Sequence, residues 1–156
     1  MSKILVSYFS ATDTTKMVAE KIRDVLNCDL FEIEPVEKYT DADLNWHDKN
    51  SRSSIEMQDK NSRPGIKAKI SNLNDYDKVI IGFPVWWYTA PTIINTFIEE
   101  NDFLNKQVYI FVTSGGSSEE GSFNDLKNKY NNINFIKAKR FNSNTSKEDI
   151  EDFINN

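Results

Sequence analysis

Ile4-Leu5-Val6-Ser7-Tyr8-Phe9-Ser10-Ala11-Thr12-Asp13-Thr14-Thr15 changes character at its midpoint. The first six residues make an apolar run that reads as a buried strand. Val18, Ile22 and Val25 then recur at helical spacing, which predicts a helix over 16–26. Residues 10–15 therefore form a hydroxyl-rich loop between a strand and a helix N-terminus. Backbone N–H groups at such a point lack intrahelical partners, and the helix dipole favours negative charge. Ser10, Thr12, Thr14 and Thr15 add neutral hydroxyl donors. No Gly-Lys-Ser/Thr follows, so this is not a nucleoside-triphosphate loop; it suits a phosphate monoester held without a bound cation.

The same alternation continues along the chain. Residues 29–34 alternate polar and apolar and stop at Pro35, as a strand near a sheet edge would. Residues 36–76 are polar; Asp41-Ala42-Asp43-Leu44 is read as a helix start, and Ser62-Arg63-Pro64-Gly65 as a turn. Residues 78–83 and 107–112 are short apolar strands, and 134–137 is a fifth. Pro91 opens a helix with Ile94, Phe97 and Ile98 inward. Phe123, Leu126 and Tyr130 mark another helix, and Ser146-Lys147-Glu148-Asp149 is a capping box before a last one. Strands alternating five times with helices imply one α/β domain over 1–156, a parallel sheet covered on both faces.

Composition narrows the function. With 156 residues and a net charge of −5, the chain lacks the basic face that nucleic acid requires, and it suits docking to basic proteins. Cys28 is the sole cysteine, so neither a disulfide framework nor a cysteine metal site is expected. No apolar run approaches membrane-spanning length and no signal-type segment is visible, so the expected location is the cytoplasm, without membrane insertion.

In a doubly wound sheet, ligands bind beyond the carboxyl ends of the strands, where the winding reverses. Three loops occupy that end: 10–15, 84–90 and 113–118. In the second, Pro84-Val85-Trp86-Trp87-Tyr88, three consecutive aromatics cannot all face the core. One of Trp86 and Trp87 is expected inward and the other at a ligand, as a stacking platform for a planar group. In the third, Ser114-Gly115-Gly116-Ser117 lets backbone approach a ligand closely. A phosphate cradle, an aromatic wall and a thin backbone wall fit a planar heterocycle with one phosphate tail.

With these three loops in order, the chain resembles the short-chain flavodoxins over nearly its whole length. The phosphate loop is Ser10-Ala11-Thr12-Asp13-Thr14-Thr15, the flavin-wall loop is Pro84-Val85-Trp86-Trp87-Tyr88, and the second flavin loop contains Ser114-Gly115-Gly116-Ser117. The resemblance implies a flavodoxin-like three-layer sandwich, a five-stranded parallel sheet in order 2-1-3-4-5. It also implies an FMN cofactor bound by those residues. The implied role is low-potential electron transfer between a reductase and an electron acceptor, with no catalytic acid, base, nucleophile or metal. Two other functions stay open: an FMN-dependent NAD(P)H:quinone-type oxidoreductase, which needs a cleft for a second substrate, and a non-redox binding domain with weakened FMN affinity. A receiver domain is excluded because Phe9-Ser10 and Phe83-Pro84 stand where it needs acidic residues.

Two residues depart from the family pattern. Asp13 stands where the loop has glycine. At about 4 Å from a doubly charged phosphate its carboxylate would cost roughly 8 kcal/mol at an effective dielectric near 20; at about 8 Å in water the cost is roughly 1 kcal/mol. The expected pose is outward, capping the first helix. Tyr88 stands where glycine often follows the tryptophan, a place where a bulky residue with positive φ is disfavoured. His47, in a polar stretch beside Trp46, is read as a surface residue, and Cys28 as a small buried filler.

Overall fold

A computed structural model describes residues 3–155. Five parallel strands run β1 (Ile4–Tyr8), β2 (Asp29–Glu32), β3 (Lys78–Pro84), β4 (Gln107–Thr113) and β5 (Asn134–Arg140). They lie in the order β2-β1-β3-β4-β5, as the resemblance implied. The helices are α1 (Asp13–Leu26), α2 (Arg52–Gln58), α3 (Thr92–Glu100), α4 (Glu120–Lys129) and α5 (Lys147–Asn155). No helix among the described residues is long and apolar enough to cross a membrane.

The apolar runs work because alternate residues feed opposite cores. Leu5, Val79, Ile81, Phe83, Val108 and Ile110 pack with Ile93, Ile94 and Phe97 of α3 and Leu126 of α4. Val6, Ile80, Tyr109 and Phe111 pack on the other face with Val18 and Ile22 of α1 and Ile150 and Phe153 of α5. The three inner strands are thus sealed on both sides, whereas β2, at the edge, keeps Asp29 and Glu32 exposed. Cys28 is half-buried beside the second core, and burial pushes its thiol up to about 11.

Several boundaries differ from the sequence reading. Helix α1 begins at Asp13, three residues before the apolar periodicity becomes visible. Residues 41–44 form turns, and the helix of that segment is α2 instead. Segment 36–76 is stitched to the sheet edge by Val36 N–H donating to Gly65 O (2.9 Å) and Lys67 N–H donating to Glu34 O (2.9 Å). At the last helix, Asp149 N–H donates to Ser146 Oγ (3.1 Å), one half of the expected capping box.

Candidate functional site

Strands β1, β3 and β4 are neighbours, so their carboxyl ends bring the three sequence-selected loops together. Thr113, the last residue of β4, ties them to one another. Its Oγ1 shares a hydrogen bond with Thr15 Oγ1 (2.7 Å), and its carbonyl accepts from Val85 N–H (3.0 Å). Thr15 is buried, so its hydroxyl fastens the first loop to the sheet.

At the first loop, Thr12 takes the N-cap position with extended backbone and no side-chain cap bond. Asp13 is the first helical residue and is exposed, as expected; the capping role expected of it is not observed. A carboxylate there is favoured by the helix dipole. Ser10 Oγ donates to the Thr12 carbonyl and accepts from Lys16 N–H (3.2 Å), which fixes the loop's curl. The N–H groups of Asp13, Thr14 and Thr15 have no intrahelical acceptor, and none meets them elsewhere among the described residues. The exposed hydroxyls of Thr12 and Thr14 stand on the same turn, and Ala11 packs on the core beneath.

The second loop separates its aromatics. Trp86 is half-buried and meets Phe9 (centroids 5.8 Å, 85°) and Tyr39 (5.4 Å, 75°) edge-on. Trp87 and Tyr88 are exposed, at 43% and 78%. Trp86 N–H donates to Thr89 O (2.9 Å) and Thr89 N–H to Trp86 O (3.0 Å), closing a two-residue hairpin. Its central residues have φ of 48° at Trp87 and 66° at Tyr88. Such turns favour Asn-Gly, and bulky residues there cost about 1–3 kcal/mol each. Pro84 and Val85 are half-buried at the loop's root.

The third loop is curled by Ser114 Oγ donating to Ser117 O. Gly115 and Gly116 are exposed, neither has positive φ, and a Cβ on either would meet nothing within 4 Å. Neither backbone shape nor internal packing requires glycine there.

Tyr39 and Gly121 were not singled out in the sequence. Tyr39 donates through its hydroxyl to Glu56 Oε1 (2.6 Å), lies 3.8 Å below the Arg52 guanidinium, and supports Trp86. Burial, then its bond to the Glu56 carboxylate, pushes its phenol far above the ordinary tyrosine range. Gly121, in the first turn of α4, leaves room for the Tyr88 carbonyl: a Cβ would sit 2.3 Å from that oxygen. His47 lies on the surface, stacked on exposed Trp46 (3.7 Å) and remote from the three loops in sequence. Among the described residues no cluster of histidine, cysteine or carboxylates could hold a metal ion.

Comparison with known proteins agrees with this fold. A family model described as flavodoxin matches residues 3–156. A provisionally named flavoprotein of Bacteroides eggerthii is 47% identical, covering 99% of this chain and 96% of its own, with a TM-score of 0.96. A similarly named protein of Bacteroides uniformis is 46% identical over 99% of both chains, with a TM-score of 0.93. A Lactobacillus acidophilus flavoprotein, solved in complex with FMN, is 25% identical over 99% of both chains, with a TM-score of 0.79. No curated protein matches the chain.

Proposed function

Because the chain belongs to the flavodoxin family, we propose that it binds one FMN at the carboxyl end of the sheet and carries electrons at low potential between a reductase and an electron acceptor. The observation that carries this reading is the N-terminus of α1, where three unpartnered N–H groups adjoin neutral hydroxyls. A phosphate monoester satisfies all of them without a counter-cation. Exposed Gly115 and Gly116 put no side chain on the third loop, so a ring system can lie against its main chain. When bound, FMN supplies the redox chemistry. The chain holds it: residues 10–14 take the phosphate, Trp87 and Tyr88 offer ring faces, and Trp86 braces the loop from beneath.

Two features bear on the rest of the reading. A net charge of −5 disfavours adding negative charge at the site and favours partners with basic faces. Exposed Asp13 removes the main objection to FMN affinity, because its carboxylate is free to stay in solvent. An oxidoreductase with its own second substrate is favoured by one observation only, a groove beside the Trp87–Tyr88 turn. NAD(P)H oxidation with a quinone acceptor and no added reductase separates the two: an absence of turnover is expected for a carrier.

Titration with FMN tests the cofactor directly. Saturable one-to-one binding is expected, with quenching of flavin and tryptophan fluorescence. At a hundred times Kd, binding adds about 2.7 kcal/mol, a rise in Tm of about 8 °C for a chain of this size. No change in either signal would overturn the reading. Asp13→Asn is expected to act in opposite directions on the two readouts. It removes a favourable charge from the first turn of α1, lowering stability by about 0.3–1 kcal/mol. It also tightens FMN by less than about tenfold, as an outward carboxylate in water-like dielectric predicts. A hundredfold gain would place the carboxylate against the phosphate.

A further inference from the structure

The Trp87–Tyr88 turn borders a groove of about 640 Å³ between α3, α4 and the end of α2. Its lining residues include Met57, Lys60, Asn95 and Lys129. No residue of the first or third loop lines it, so it is distinct from the phosphate cradle and the glycine wall. The two aromatic side chains on its rim have no aromatic partner among the described residues, in contrast to Trp86. They are displayed on a hairpin whose positive φ values suit glycine rather than aromatics. Strain of that kind persists where the surrounding structure holds it, and it clusters at ligand sites.

The charges in the groove add a second, independent indication. In an acidic molecule, Lys60 and Lys129 both line it, and neither forms an ion pair among the described residues. The one carboxylate in the lining, Asp125, accepts a hydrogen bond from Thr89 Oγ1 (2.6 Å), which pins the turn to α4. Two ammonium groups against one carboxylate leave the lining net positive beside an aromatic wall, with Lys129 also acting on the Glu99 carboxylate beyond it.

We infer that this groove binds a planar aromatic molecule carrying a negative charge, with its ring on the faces of Trp87 and Tyr88 turned away from the first and third loops and its anion between Lys60 and Lys129. A neutral planar molecule gains the stacking alone, and a non-aromatic anion the charge alone. The inference stands on the groove's own residues and does not need FMN at the neighbouring loops. Met57 and Lys60 belong to the polar segment 36–76, which thereby forms one wall of a small-molecule site.

The test is calorimetric titration with anthraquinone-2-sulfonate, on FMN-saturated protein and on protein without added FMN. Saturable one-to-one binding is expected in both. Lys60→Glu combined with Lys129→Glu weakens it by about tenfold or more through reversed charge. Asp125→Asn, which keeps an acceptor for Thr89, tightens it. Lys21→Glu, on the α1 side of the sheet, leaves it unchanged. Three results would overturn the inference: no saturable binding, equal affinity in the lysine double variant, or loss of binding when FMN saturates the protein. The last would put the probe in the flavin site. Failure to bind FMN shows in the FMN titration alone and leaves the arm without added FMN to judge the groove.

Discussion

Gly82→Ala is expected to destabilise the protein by about 3 kcal/mol, at the upper end of what overpacking a core costs, and to lower Tm by about 9 °C. Gly82 lies on β3, paired with Tyr8 of β1 on one side and Phe111 of β4 on the other. The Phe111 ring lies over its Cα: a Cβ there would be 1.9, 2.0 and 2.6 Å from three ring carbons. The ring has nowhere to retreat, because it is fully buried against Phe141, which in turn packs edge-on against Phe153 (5.1 Å, 81°). Backbone on β3 cannot yield easily either, since Gly82 O accepts from Phe9 N–H (2.9 Å) at the root of the first loop. Thermal unfolding followed by circular dichroism measures the loss. Combining Gly82→Ala with Phe111→Leu is expected to cost less than the sum of the two single changes, because the smaller side chain vacates the contested space. A single variant melting within about 2 °C of the parent would show that the ring moves freely.

That glycine also illustrates what the sequence displays and what it hides. The apolar runs at 4–9, 78–83 and 107–112 announce buried parallel strands because burial on both faces removes the alternation a one-sided strand would show. Three loops with unusual chemistry follow three such strands, and the strand order sets those strands side by side. The segment 36–76 was illegible for a physical reason. The buried residues of α2 are Ser53 and Ser54, while Ile55 is exposed at 55%, so the helix carries no apolar periodicity. Its fastening comes from Arg52 and Glu56, bonded to each other (3.0 Å) and closing on Tyr39 from thirteen and seventeen residues away. Residues 41–44 misled because Thr40 and Asp43 do exchange cap-like bonds (2.9 and 3.2 Å). Leu44 is only half-buried and residues 45–50 are exposed, so the turn does not propagate into a helix. The start of α1 was read late because Asp13 and Thr14 belong to its first turn and are exposed, so no apolar signal marks them.

Gly121→Ala is expected to separate binding from stability. The position is helical with ordinary φ, so alanine improves helix propensity by up to about 1 kcal/mol. Against that, the new Cβ would stand 2.3 Å from the Tyr88 carbonyl oxygen, well inside contact distance. One side must move. Helix α4 is anchored by buried Ser122 and Leu126, whereas the turn carrying Tyr88 is exposed and strained, so the turn gives way. The two effects on stability nearly cancel, and Tm without cofactor stays within about 3 °C of the parent. Affinity for FMN has no such compensation. Displacing the aromatic turn forfeits a stacking contact of about 2 kcal/mol, which weakens Kd roughly thirtyfold. Fluorescence titration with FMN reads the loss and calorimetric melting reads the stability. An unchanged Kd beside a lowered Tm would mean that the turn held its place while the helix was disturbed, and that Tyr88 is not positioned for the cofactor by Gly121.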